Sequence, residues 1–287
     1  MIYLVLSVLC TSFLFVIFKL FDVYKVQTLY AIVVNYVVAC TVGILLSETD
    51  FDFGDMIQRS WFFGAIALGI FFILVFNLMA KTAQVAGVSV ASVATKMSLV
   101  IPVVLGVVLY QEKLSGFQIA GIFLALAAVY FASMKDGGME ISKKSLVLPL
   151  LVFLGSGIID ASIKYFETEH LEPEEVSIFS AMLFGFAAIS GFCFVGIKAV
   201  KKPLKVNFKN VVAGIFLGVP NYFSIFFLLR ALQDGGLDSA AIFTLNNVAI
   251  VMLTTLLGIV LFKEKMNPKN WGGIALAVIS IVLVALF

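Results

Sequence analysis

Charge is the scarcest property of this chain. Charged residues fill 13% of its 287 positions, where a soluble domain carries roughly 25%. There is one histidine, His170, and it lies in the acidic stretch 167–175. That leaves no buried histidine for a Ser/His/Asp set, and neither HExxH nor a phosphate-cradling glycine loop occurs. Cys10, Cys40 and Cys193 form no CxxC and each sits in an apolar run. They read as small core residues, not as a disulfide frame or a metal site. An enzyme is therefore not expected, nor a metal or other cofactor. The net charge of +2 offers no basic surface for nucleic acid. The start lacks a basic region, and apolar sequence continues past any cleavage window, so the first segment is expected to stay as a membrane helix.

What the chain has in excess is apolar sequence, 62% of all residues. An integral membrane protein follows, with the lipid bilayer as its first partner. About 20 apolar residues are needed to cross roughly 30 Å of hydrocarbon as a helix. Runs of that kind, counted between polar breaks, predict ten spans near 2–21, 26–47, 60–80, 88–110, 115–134, 145–165, 174–198, 209–229, 237–262 and 268–287. The fold class is all-α and polytopic. The connections are short, so no soluble domain carries separate chemistry.

Two stretches are nearly the same stretch. Leu105-Gly106-Val107-Val108-Leu109-Tyr110-Gln111-Glu112-Lys113-Leu114 returns as Leu257-Gly258-Ile259-Val260-Leu261-Phe262-Lys263-Glu264-Lys265-Met266, at an offset of 152 residues (264 minus 112). Downstream, Gly121-Ile122 matches Gly273-Ile274 at the same offset. A repeated helix end half a chain apart marks an internal duplication. Lys81, Gln84, Gly87 and Ala91 echo Arg230, Gln233, Gly236 and Ala240, and Lys19 and Phe21 echo Lys164 and Phe166. The expected organisation is a first five-helix repeat over 1–136, a linker at 137–144 and a second repeat over 145–287. Five is odd, so the second copy enters the membrane upside down. The expected arrangement is a pair of inverted repeats, a transporter plan with its substrate site between the repeats near the bilayer midplane.

Loops after odd-numbered spans hold thirteen lysines, and loops after even-numbered spans hold only Arg59, Lys113 and Arg230. By the positive-inside rule the odd loops face the cytoplasm and both termini lie outside.

Lys96 is the most informative single residue. It lies near the middle of the fourth span, six residues before Pro102. A lysine there costs about 2.5–3.5 kcal/mol to insert, so it needs a partner or a wet cavity. It reads as a substrate anchor or titrating group; the competing reading is a lysine satisfied by backbone carbonyls or a structural acid. Asp160 is the one carboxylate well inside a span, with Lys164 one turn later. It reads as a proton carrier or partner of Lys96, or else as half of a local pair with Lys164. Asn35, Asn77, Asn221, Tyr222 and Asn247 complete the cavity candidates; taken singly, each amide serves equally as glue between helices. Pro102 and Pro220 are places where a helix ladder can break and free carbonyls for a ligand. Glu112 and Glu264 stand at helix ends, where each carboxylate is expected to accept N–H groups at the start of the next helix. Gly214-xxx-Gly218 has the spacing of close helix packing.

Ten spans in two halves, each with a fourth helix ending in Glu-Lys-Leu or Glu-Lys-Met and a glycine nine residues on (Gly121, Gly273), resemble the drug/metabolite transporter superfamily, and its EamA-type members in particular. Pro102 fits the proline such fourth helices carry, while the second half has Thr254 in that place. The resemblance implies secondary transport of small metabolites or drugs, often efflux, across the bacterial inner membrane. It also implies no ATP site, both halves in one chain acting as a monomer, and cytoplasmic termini. The last point stands against the lysine distribution, and both orientations stay open. The expected function is an alternating-access carrier for a small molecule, with protons the simplest coupling ion. The alternative is a non-transporting membrane subunit that binds a partner.

Overall fold

The structure is a computed structural model that describes residues 1–46, 53–102, 104–105, 115–132, 143–171, 175–201, 207–233 and 239–286. Among these residues all regular structure is helical. The spans are α1 (Ile2–Val23), α2 (Thr28–Leu45), α3 (Phe62–Val85), α4 (Val88–Met97), α5 (Gly116–Ala132), α6 (Lys143–Glu169), α7 (Val176–Lys201), α8 (Phe208–Gln233), α9 (Ser239–Phe262) and α10 (Pro268–Leu286). A short helix, Phe53–Ile57, precedes α3. Seven of these helices contain a stretch of at least 18 residues apolar enough to cross a membrane, and the apolar helices at Val88–Pro102, Gly116–Ala132 and Pro268–Val284 are shorter. The protein is thus an all-α polytopic membrane protein of two five-helix repeats. Residues 137–142 of the expected linker and Glu112 lie outside the described residues, while Lys143 and Lys144, expected in the linker, open α6.

Several helices run further than the apolar runs predict, α3 and α8 among them. α3 continues through Lys81 to Val85, and α8 through Arg230 to Gln233. Both extensions add polar residues to a helix already started, where each further residue gains a backbone bond at little cost. Lys81 and Arg230 therefore stand on helix ends and not in loops.

The packing obeys a pseudo-twofold that exchanges αn with αn+5. α1 packs on α8 and α9, and their images α6 on α3 and α4; α2 packs on α8 as α7 packs on α3. The pairs α2–α7, α4–α9 and α5–α10 map onto themselves and so lie on the axis. An axis that swaps two copies of an odd number of spans makes them antiparallel.

The repeated glycines explain one of these axial pairs. A Cβ at Gly121 of α5 would meet Val284 and Leu283 of α10, and a Cβ at Gly273 of α10 would meet the backbone of Ala132 on α5. Each duplicated glycine lets one member of the pair approach the other. Asn270 Nδ2 donates to the Ala132 carbonyl at 2.9 Å at one end, and Ser280 Oγ to the Gly121 carbonyl at 2.7 Å at the other.

The core is one large cluster with Phe15, Phe18, Ile32, Tyr36, Ile73, Phe184, Leu217 and Ile250 fully buried. Tyr36 sits between α3 and α7, its hydroxyl donating to the Phe72 carbonyl at 3.1 Å and its ring stacked on Phe184. Large exposed side chains such as Phe63, Phe123, Phe194 and Phe216 face outward, as a lipid-facing surface requires.

Candidate functional site

α4 is interrupted where its sequence demands. Helical geometry ends at Met97, turns through Ser98 and Leu99, and resumes at Val100. Pro102 has no N–H for the carbonyl four residues back, and its ring collides with that carbonyl. The residue four back is Ser98. Its freed carbonyl takes the Ile101 N–H instead, at 2.9 Å, in the tighter one-to-four pattern. α9 carries Thr254 in the matching place and stays helical from Ser239 to Phe262. The two axial helices are therefore unequal, one broken and one whole. Pro220 does not repeat the effect. α8 is continuous through it, so the expected break at Pro220 is corrected.

The break gathers the charged candidates. Lys96, half-buried, lies two residues before Ser98. Asp160 of α6 approaches from the side: Ser98 Oγ donates to its Oδ2 at 3.0 Å. Asp160 lies at the helix surface within the span. Ser98 Oγ also lies within bonding distance of the Thr95 carbonyl. A hydroxyl has one proton, so it serves one of the two acceptors at a time. Donation to Asp160 frees the Thr95 carbonyl, and donation to Thr95 leaves Asp160 without that partner. The side chain of Lys164, the other expected partner, lies outside the described residues.

The amides divide. Asn221 Nδ2 donates to Asn35 Oδ1 at 3.1 Å, both residues buried, so this pair joins α8 to α2. Asn77 Nδ2 returns to the Ile73 carbonyl of its own helix at 2.7 Å. Tyr222 is buried and stacks on Phe226. Asn247 is half-buried. Its neighbour Asn246 is buried, with Oδ1 unpartnered among the described residues, as are the hydroxyls of Ser12 on α1 and Ser156 on α6. Among the candidates, Asp160 of α6 meets Ser98 of the α4 turn, and Asn35 of α2 meets Asn221 of α8. Ser98 was readable from its place four residues before Pro102; Ser12 and Ser156, small and surrounded by apolar residues, carried no such signal.

Glu264 corrects its expected role. It does not cap α10, the next helix. Its Oε1 accepts the Val88 N–H at 2.7 Å, and its Oε2 accepts the Ser89 hydroxyl at 3.2 Å, at the start of α4 in the other repeat. Lys263, with φ +53°, turns the chain back after α9 to aim the carboxylate there. Gly87, with φ +114°, makes the matching turn before α4, and a Cβ on it would lie 2.9 Å from both carboxylate oxygens. Thr254 Oγ1 adds a bond to Ser92 Oγ at 2.6 Å along the same crossing.

No group of three or more His, Cys, Asp and Glu side chains able to hold a metal occurs among the described residues. A match to the EamA-like transporter family covers residues 1–134 and 143–286, one unit per half. The chain belongs to the EamA-like transporter family. A protein of Haemophilus influenzae named only as uncharacterized is 28% identical over 286 residues, spanning 97% of this chain and 95% of its own length. A solved crystal structure of a protein with no stated function superposes with a TM-score of 0.59 at 15% identity, covering 98% of this chain and 96% of that one. That likeness is one of fold. As an EamA-like protein the chain is a membrane transporter of small molecules.

Proposed function

We propose that this chain is a secondary carrier that moves one small metabolite or drug by alternating access, with the broken segment of α4 as its binding site. The observation that carries the reading is the break in α4, where the Ser98 hydroxyl holds Asp160 of α6 at 3.0 Å and Lys96 lies two residues away. A charged side chain on each of two packed helices, beside a turn where the backbone is broken, offers polar groups to a ligand. A substrate carboxylate or phosphate would take the Lys96 ammonium, as ionisable groups inside membranes commonly serve transported species. Asp160, bonded by Ser98, would carry the coupling proton. Efflux from the bacterial cytoplasm by a single chain is the direction and assembly we assign.

The test starts with purified protein screened for thermal stabilisation against a metabolite panel, followed by uptake of the hits into proteoliposomes. Lys96→Ala is expected to abolish both ligand stabilisation and transport while the unliganded melting temperature stays within a few degrees. Loss of folded protein in step with loss of transport would assign Lys96 a structural role. A panel with no ligand at all would favour a non-transporting subunit.

A further inference from the structure

The helix ends divide between two faces, and bonds between them fix which ends share a face. The ends of α1 and α3 and the start of α2 meet at Gln84. Its Nε2 donates to Thr28 Oγ1 at 2.9 Å and to the Phe18 carbonyl at 3.2 Å, and Lys19 Nζ donates to its carbonyl at 2.9 Å. The start of α8 joins them where the Gln27 N–H donates to Asn210 Oδ1 at 3.0 Å. The end of α9 joins through Glu264 on Val88, and the start of α10 meets the end of α5 through Asn270 on Ala132.

This face is basic. Lys25, Lys81, Lys209, Lys263, Lys265 and Lys269 lie on it, and all six are exposed. Among the described residues the face carries two carboxylates, and both are engaged: Asp22 pairs with Lys25 at 3.6 Å, and Glu264 caps α4. The opposite face is of another kind. There Arg59 closes on Glu175 at 2.9 Å, and Arg230 lies over the Phe226 ring at 5.3 Å. In sequence, the stretches 47–52, 106–114, 172–174 and 234–238 follow helices that end on that side, and they hold eight carboxylates against Lys113 alone.

Two further observations bear on what the lysines meet. Tyr24 precedes Lys25, and Trp271 follows Lys269 by two residues; both rings are exposed, at 60% and 48%. Tyrosine and tryptophan exposed at helix ends settle at the headgroup level of a bilayer. The lysines beside them therefore stand at the depth of lipid phosphates. Lys25 and Lys263 are also the two non-glycine residues with positive φ among the described residues, each at +53°. Each lies just past a helix end, where glycine takes this conformation without cost. A lysine there carries strain that glycine would relieve, and what it adds in return is an ammonium on this face.

We infer that the basic face docks on the anionic phospholipid headgroups of the cytoplasmic leaflet, with Lys25 and Lys263 as fixed anchors, so that α1 starts and α10 ends on the outer side of the membrane. Lysines at headgroup depth are attracted by the negative surface potential of that leaflet. The lysine excess on one set of connections sets the same orientation. It is the reverse of the orientation that the resemblance to EamA-type proteins implies. The inference stands on charge and on helix ends, and a failure of the carrier reading leaves it untouched.

Orientation is read at two uncharged, exposed positions, Ser60 just before α3 and Asn207 just before α8. With Cys10, Cys40 and Cys193 replaced by serine, Ser60→Cys and Asn207→Cys are each treated with a membrane-impermeant maleimide in sealed right-side-out vesicles. Labelling in detergent first shows that each thiol is reachable. Ser60→Cys is expected to react in the sealed vesicles, and Asn207→Cys only after they are broken. Any other pattern overturns the inference.

The lipid is read by melting the purified protein in bilayer discs of phosphatidylcholine, with and without phosphatidylglycerol. The anionic lipid is expected to raise the melting temperature by at least about 3 °C at low salt and by less at 1 M salt. Lys25→Gln/Lys263→Gln is expected to lose a third or more of that shift. Lys25→Gly/Lys263→Gly is expected to lose as much, yet to melt no lower than the parent in neutral discs, because glycine relieves both turns. A glycine pair that melts lower in neutral discs would make the two lysines structural. No shift in the parent, or a full shift in both variants, would remove the lipid from this face. Inorganic phosphate added to neutral discs is expected to give no shift; a shift from phosphate alone would make the face a site for soluble anions and overturn the lipid assignment.

Discussion

Glu264 at the end of α9 caps α4, its Oε1 2.7 Å from the Val88 N–H. Half a chain separates the two residues in sequence, and each belongs to a different repeat. A carboxylate at a helix start satisfies N–H groups that have no partner in the helix and complements the partial positive charge there. Glu264 is therefore a stitch between the copies.

Glu264→Ala is expected to destabilise the protein by about 1–2 kcal/mol, the usual cost of a lost cap. Glu264→Gln should cost less, since one carbonyl oxygen remains for Val88. Gly87→Ala should cost about as much as Glu264→Ala, because the new methyl meets the carboxylate and the backbone turn resists a side chain. Thermal melts in one detergent check all three; a Glu264→Ala protein as stable as the parent would refute the stitch.

Asn35 and Asn221 should prove coupled. Asn35→Ala leaves the buried Asn221 amide without this acceptor, Asn221→Ala leaves Asn35 Oδ1 without this donor, and the double variant removes both. A double-mutant cycle is expected to give about 0.6–1.7 kcal/mol of interaction, the range for hydrogen bonds between membrane helices. Strict additivity would show that the bond contributes nothing.

Arg59 and Glu175 are predicted to matter little for stability. Arg59 is 52% exposed and Glu175 13%. The pair closes at 2.9 Å with its arginine half in solvent, and such a pair contributes about 0.2–1 kcal/mol, less at high salt. Arg59→Gln should shift the melting temperature by a few degrees at low ionic strength and by less at 1 M salt. The contact in which the Gln27 N–H donates to Asn210 Oδ1 and Asn210 Nδ2 donates to Gln27 Oε1, both at 3.0 Å, is uncharged and should show no such salt dependence. Equal salt dependence at both contacts would contradict the assignment.

Ser98→Ala is expected to lower transport strongly while folding survives, because Thr95 and Asp160 lose the same proton donor. Ser98→Thr keeps the hydroxyl and should recover most of the rate. Transport by Ser98→Ala at the parental rate would remove Ser98 from the site.

Much of this molecule was legible before any coordinates. Apolar run length determined the spans, because nothing but a helix satisfies its own backbone inside lipid. The Glu-Lys repeat and the odd span count determined the antiparallel copies. Lys96 and Asp160 stood out because charge inside an apolar run is expensive. Tertiary structure decided the partners. Which amide meets which helix depends on side-chain direction and interhelical distance, neither of which is written in a local pattern. Asn35 and Asn221 thus became a helix contact, and Glu264 reached across to α4 instead of forward to α10. The reason is the same in both cases: the two copies pack mainly on each other, so the contacts that fix each side chain come from residues half a chain away.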